Sequence, residues 1–196
     1  MKRIGIFGGT FDPPHIAHSI LADDVREQKN LDKVLFIPSG NPPLKEFMHV
    51  SSSRHRLSMA KLAFEKDPHF EVNDIELNNE ERKTYTVNTL IKLKEHFKND
   101  KVKLFLIIGI DNLIDFPKWK DPEKILTLCE VLTMNRPEYP VREVKLEYFS
   151  KVRFIKVPML AISSTMIRYY VKKGKSIKYL VAPEVKDYII KNKLYI

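Results

Sequence analysis

An N-terminal run of β-formers, Ile4 to Phe7, meets a glycine pair almost at once, and the chain then reads Gly8-Gly9-Thr10-Phe11-Asp12-Pro13-Pro14-His15-Ile16-Ala17-His18. No other stretch limits the fold as much. Two glycines at the end of a strand predict a tight turn that a ligand can approach closely. Pro13 and Pro14 stiffen the chain just before a helical pattern begins at Ile16. His15 and His18 stand three residues apart, so a helix start puts both imidazoles on one face. Unpaired N–H groups and the helix dipole at that end favour an anion. The stretch suits phosphate. It is neither G-x-G-x-x-G, since its glycines are adjacent, nor a Walker loop, which needs Gly-Lys-Ser/Thr before the helix.

Beyond it the chain alternates strand-like and helix-like patterns. Residues 16–28 carry Ile16, Ile20, Leu21 and Val25 on one helical face, and residues 33–37 form a second strand. Ser51 to Ser53 offer caps for a helix to about Glu65 with Leu57, Ala60 and Phe64 inward, and Phe70 to Leu77 alternates as a third strand. A helix follows Thr84-Tyr85-Thr86 with Val87, Leu90, Ile91 and Phe97 on one side. Val102 to Ile108, closed by Gly109, is the most continuous apolar strand and predicts a central place in a parallel sheet. Pro117 and Pro122 bracket Trp119 in a loop or short helices, and Glu130 to Met134 and Val152 to Val157 are two further strands. Ser163 caps a helix to about Lys173, and Pro183 opens a last one ending near Asn192. Strands joined by helical crossovers predict an α/β fold, a Rossmann-like open and mostly parallel sheet with helices on both faces. Ligands of such sheets lie beyond the carboxyl ends of the strands, where Gly8, Gly9 and Gly109 fall.

With 196 residues the chain fits a single domain, 1–196, with a small helical portion from about residue 163. The 34 basic and 25 acidic residues leave a net charge of +9, which suits a polyanionic partner. The single Cys129 excludes an intrachain disulfide and fits a reducing, cytoplasmic setting. No stretch has the length of a membrane span. His49, His55, His69 and His96 have no partners at ligand spacing, so no structural zinc is expected. Lys172-Lys173-Gly174-Lys175-Ser176 ends like a Walker loop but follows a helix, and reads as a helix stop. An RNA-binding module is the distant alternative, since no RNP-like aromatic motif is present. A homo-oligomer is compatible with the chain.

A second string, Ile162-Ser163-Ser164-Thr165-Met166-Ile167-Arg168, puts three hydroxyls at a predicted helix start. They can cap it and meet phosphate, and Arg168, one turn later, can do so bidentately. The first stretch resembles the (H/T)-x-G-H signature of the nucleotidyltransferase superfamily, in the G-G-T-F-D-P-x-H form of bacterial adenylyltransferases, with Ala17 at the usual glycine position. The second resembles the superfamily's I-S-S-T-x-I-R. Thr84-Tyr85-Thr86, Gly109-Ile110-Asp111, Lys118-Trp119, Pro42-Pro43-Leu44-Lys45, Arg136-Pro137 and the tail Lys193-Leu194-Tyr195 are similar to motifs of nicotinate-mononucleotide adenylyltransferases. Asn88 and Lys120 depart from that pattern, where Asp and Tyr are frequent.

The resemblance implies a nucleotidyltransferase-type sheet and a reaction: ATP plus nicotinate mononucleotide gives deamido-NAD and pyrophosphate, a step of NAD biosynthesis. It implies catalytic roles for His15, His18 and Arg168. ATP would lie against Gly8, Gly9, Thr10, Phe11, Lys45, Gly109, Asp111, Ser163, Ser164 and Thr165. Nicotinate mononucleotide would lie against Thr84, Tyr85, Thr86, Lys118, Trp119 and Arg136. Mg2+ would arrive with ATP, carried by phosphates and not by protein side chains. Adenylyltransferases for phosphopantetheine or flavin mononucleotide share both phosphate motifs and form the alternative within the superfamily.

Overall fold

The computed structural model describes residues 1–41, 50–77, 83–135 and 148–196. The 42–45 and 136–137 motifs, with Lys45 and Arg136, lie outside the described residues. Six strands form one sheet: β1 (Lys2–Gly9), β2 (Lys33–Pro38), β3 (Phe70–Val72), β4 (Val102–Gly109), β5 (Glu130–Met134) and β6 (Arg153–Ile155). Every pairing is parallel, and the order is β3-β2-β1-β4-β5-β6. The expected open α/β sheet is therefore present, and its strand order reverses between β1 and β4. That reversal leaves a crevice past the carboxyl ends of β1 and β4, where open α/β sheets bind ligands.

Side-chain alternation along the strands builds two cores. Ile4, Ile6, Leu104 and Leu106 face α3 (Thr86–His96), α4 (Ile110–Asp115) and α5 (Pro122–Leu128), burying Val87, Leu90, Leu113 and Ile125. Phe7, Phe36, Phe105 and Ile107 point the other way, toward α1 (Ile16–Gln28) and α2 (Ser53–Phe64). A third cluster joins Met59 of α2 to Ile167 of α6 (Ser164–Lys172) and to Val185 and Ile189 of α7 (Pro183–Lys191). Thus α2 is shared by two cores, and through it the C-terminal helices are fastened to the sheet.

Four local expectations shift. The third strand stops at Val72 because Asn73 turns the chain: its Oδ1 accepts the Ile75 N–H at 3.0 Å, and Leu77 N–H then closes a turn on Asp74 O. On α1 the inward residues are Ala17, Ala22 and Val25, while Ile20 is exposed. On α3, Leu93 and not Ile91 completes the buried face. Val152 to Val157 contributes a strand only over Arg153–Ile155. Gly174, at φ 63, ends α6 as the charge-run reading requires.

The aromatic layer carries the site. Phe36 is fully buried and stacks on Phe64 at 3.7 Å between centroids, with Phe11 and Phe70 meeting it edge-on. Phe36→Ala should cost about 3–5 kcal/mol of stability, the range for large core aromatics. Equilibrium unfolding in urea measures it; a loss under about 1 kcal/mol would show that the layer closes up around the missing ring.

Candidate active site

β1 continues through both glycines, so the turn is not made where the sequence pattern puts it. The left-handed residue is Phe11, at φ 51, one step past Thr10. A bulky residue holds that conformation only when its surroundings demand it, and here its ring is buried beneath Gly9. A Cβ on Gly9 would sit 2.9 Å from the Phe11 ring, whereas one on Gly8 would meet nothing within 4 Å. Gly9 is thus small for packing, and Gly8 faces open space. The Asp12–Pro13 peptide is cis.

His15 is the N-cap of α1, with extended backbone (φ −142, ψ 166). Its N–H donates to His18 Nδ1 at 3.1 Å, and the two rings stack at 3.7 Å. Because Nδ1 accepts a backbone proton, neutral His18 carries its own proton on Nε2, as a donor. Ile16 N–H is committed to Leu180 O at 3.0 Å. Two donors that the sequence pattern offers to an anion are therefore used by the protein itself.

The second string closes on the first. Ser163 caps α6, accepting Met166 N–H at 3.2 Å. Ser164 Oγ donates to Pro13 O at 2.8 Å, and Arg168 donates to Asp12 O at 2.8 Å and to Thr165 Oγ1 at 3.2 Å. Residues 151 apart in sequence become one wall. A guanidinium has five N–H donors, so these bonds aim Arg168 without exhausting it.

Two residues that matter to the loop escape the sequence reading. Arg56, only 4% exposed, donates to Ser51 O (3.0 Å), Thr10 O (3.1 Å), Ser39 O (2.6 Å) and Gly40 O (3.4 Å). It ties the loop after β1, the end of β2 and the start of α2 together. Asp12, 2% exposed, accepts Ser51 N–H on Oδ2 at 3.1 Å and the Tyr195 hydroxyl on Oδ1 at 2.5 Å. One signal was available: Arg56 falls four and eight residues before Ala60 and Phe64, on the inward stripe of α2.

Across the crevice, β4 ends at Gly109, which is the N-cap of α4, with Asp111 in the first turn. Thr84 N–H donates to Asn41 O at 2.9 Å, and Gly40 lies so close that a Cβ there would be 2.3 Å from Glu76 O. Tyr85 is the extended N-cap of α3, and Thr86 opens that helix. Lys120 holds its ammonium 4.8 Å over the Tyr85 ring, and Trp119 leans on Phe116 at 5.3 Å. The Thr84–Thr86 and Trp119 loops are thereby brought together. Lys118 is exposed and paired with Asp115 at 2.7 Å. Burial pushes the Cys129 thiol up to about 12, and it donates to Ile125 O, so it stays protonated and is no nucleophile. Among the described residues no group of three His, Cys, Asp or Glu side chains could hold a metal, and no helix is long and apolar enough to cross a membrane.

Residues 6–169 match the cytidylyltransferase-like family. A nicotinate-nucleotide adenylyltransferase of Bacillus subtilis strain 168 is 40% identical over 195 residues, covering 100% of this chain and 99% of the relative. The chain belongs to the nicotinate-nucleotide adenylyltransferase family. A Plasmodium falciparum nicotinic acid mononucleotide adenylyltransferase solved with NaAD shares the fold of this family member at TM-score 0.82 and 25% identity, covering 100% of this chain and 98% of that one. A second structure of the Plasmodium enzyme, complexed with APC, aligns at TM-score 0.80 and 24% identity, covers 100% of this chain and 98% of that one, and supports the fold.

Within this adenylyltransferase scaffold, Arg56→Lys is a sharp test of the loop tie. An ammonium cannot reach carbonyls on three segments at once, and each buried carbonyl left unpaired costs about 1–3 kcal/mol. A stability loss of at least about 2 kcal/mol is expected in denaturant unfolding; an unchanged midpoint would remove Arg56 from that role.

Proposed function

We infer that the chain transfers the adenylyl group of ATP to nicotinate mononucleotide, releasing pyrophosphate and forming deamido-NAD for NAD biosynthesis. The observation that carries this reading is the joint between the two phosphate strings, Ser164 on Pro13 O and Arg168 on Asp12 O, at the reversal of strand order. The attacking group is a phosphomonoester with a second pKa of about 6. It is already a nucleophile near neutrality and needs no general base. Its oxygen forms a bond to the α-phosphorus of ATP while the α–β bridging bond breaks, and the electron pair leaves on pyrophosphate. The site's task is to align two polyanions and offset charge moving onto the leaving group.

In this reading His18, donating from Nε2, and Arg168 stabilise the charge that develops on the triphosphate, with His15 stacked behind His18. The open backbone at Gly8 admits the phosphates closely, and Ser163, Ser164 and Thr165 hold the loop and α6 in register for them. Lys45 is assigned to phosphate oxygens, Asp111 and Gly109 to the adenosine side, and Thr10 and Phe11 to the shape of the loop. Tyr85 and Thr86 receive the nicotinate carboxylate on N–H groups at the start of α3, with Thr84 holding that loop on Asn41 O, Trp119 lies against the pyridine ring, and Arg136 and Lys118 complete the acceptor side. Mg2+ would be held by the ATP phosphates and would offset part of their charge, since the imidazoles of His15 and His18 and the Arg168 guanidinium fit phosphate rather than metal. The chain acts as one domain with a helical portion from about residue 163, in the cytoplasm.

A pyrophosphate-release assay with ATP and a panel of acceptors tests the reading. Nicotinate mononucleotide should exceed nicotinamide mononucleotide at least about tenfold in kcat/KM, and phosphopantetheine and flavin mononucleotide should be inert. An amide turns its NH2 toward a donor and leaves it unpaired, and about 1.4 kcal/mol already gives tenfold. Equal use of the two mononucleotides would sink the nicotinate assignment. His18→Ala should lower kcat by roughly two to four powers of ten with the fold retained. A folded variant with ordinary turnover would exclude His18 from the chemistry.

A further inference from the structure

We propose that Tyr195, the penultimate residue, is a positioning residue for ATP: its hydroxyl occupies the Asp12 carboxylate and so keeps Arg168 directed at the phosphates. The inference rests on the proposed use of ATP and concerns a residue with no expected contact to either substrate.

The tail is built to make this bond. After α7, Leu194 N–H returns to Ile189 O at 3.0 Å, and Lys193 and Tyr195 both take left-handed backbone, at φ 50 and 65. Two non-glycine residues in that region cost conformational energy that contacts must offset. Leu194 and Tyr195 pack against the third core, and the Tyr195 hydroxyl meets Asp12 Oδ1 at 2.5 Å. Burial, and then the adjoining Asp12 carboxylate, push the Tyr195 phenol far above its ordinary range, so it is always the donor.

Asp12 has few ways to be satisfied. It is 2% exposed, and the partners seen for its carboxylate are Ser51 N–H and this hydroxyl. Removing the hydroxyl takes its tyrosine donor from a buried anionic oxygen, which then draws a nearby mobile cation. Arg56 is held on four carbonyls. Arg168 is not so held: its guanidinium already donates to Asp12 O at 2.8 Å, and its charge reaches the Tyr195 oxygen. A small rotation would put it on that carboxylate and off the phosphate path. Tyr195 therefore acts through Asp12 on Arg168.

The test is calorimetric titration with Mg–ATP alone, followed by steady-state kinetics. Tyr195→Phe should weaken ATP binding at least about tenfold while the KM for nicotinate mononucleotide stays within about twofold. Replacing Asp12 by Asn in the Tyr195→Phe background should recover most of the loss, because a neutral amide does not draw the guanidinium away. Deleting Ile196, 83% exposed, should change neither constant. Unchanged ATP affinity in Tyr195→Phe, equal losses for both substrates, or no recovery with Asp12→Asn each overturn the proposal. Wild type that binds ATP but spares nicotinate mononucleotide overturns the acceptor assignment and leaves the ATP result to decide on Tyr195. Wild type that fails to bind ATP overturns both.

Discussion

A guanidinium taken out of water costs several kcal/mol unless nearly all of its donors find partners, and Arg56 meets that condition by collecting carbonyls from Thr10, Ser39, Gly40 and Ser51. The rest of the site depends on this. None of those carbonyls belongs to a regular strand or helix ladder, so without Arg56 three irregular segments would each need water in a place packed against the aromatic layer. The same residue sits on α2, whose two sides belong to two different cores. Helix, loop and sheet end are thus fixed together before any ligand is present, which is the preorganisation that a reaction between two polyanions requires.

The loop after β1 is itself held from both flanks. On one, Ser51 gives its N–H to Asp12 and its carbonyl to Arg56. On the other, Ser164 and Arg168 take the carbonyls of Pro13 and Asp12. A loop held in this way can keep Phe11 in a left-handed conformation that isolated chain would avoid. It also explains why α1 does not present an open N-terminus: with His15 N–H on His18 and Ile16 N–H on Leu180 O, helix donors have become part of the frame. In the proposed reading, recognition of phosphate therefore falls to imidazole and guanidinium, whose donors stand out from the backbone.

Much of this was legible in sequence. Apolar strands punctuated by glycine, with helical periodicity between them, defined the parallel sheet, because those patterns are local. The two strings that meet at the strand reversal stood out as well, since hydroxyls and histidines at helix starts carry their own physical reason. The bonds between the strings did not. A serine that satisfies a distant carbonyl reads like any cap, and a buried arginine reads like a solvated one until the helix phase is known. The phase itself misled on α1 and α3, where Ile20 and Ile91 are exposed. There the packing of each helix on the sheet, which is not local, decided which stripe turned inward. The third strand stopped early because an Asn73 side chain competed with the ladder, a choice that alternation of apolar residues cannot register.

The departures from the family pattern follow the same logic. Ala17 stands where a glycine is usual, yet its side chain lies on the inward side of α1 at 2% exposure, so its methyl adds packing. In a helix the exchange of glycine for alanine also favours the folded state by about 0.5–1 kcal/mol. Asn88 is exposed on α3 and outside its buried stripe. Lys120 stands where Tyr is frequent, and its ammonium over the Tyr85 ring links the two loops by cation–π attraction. Gly9 under Phe11 and Gly40 against Glu76 have no such room: a single added carbon would strike the buried Phe11 ring or the Glu76 carbonyl, and neither can move independently of the loop.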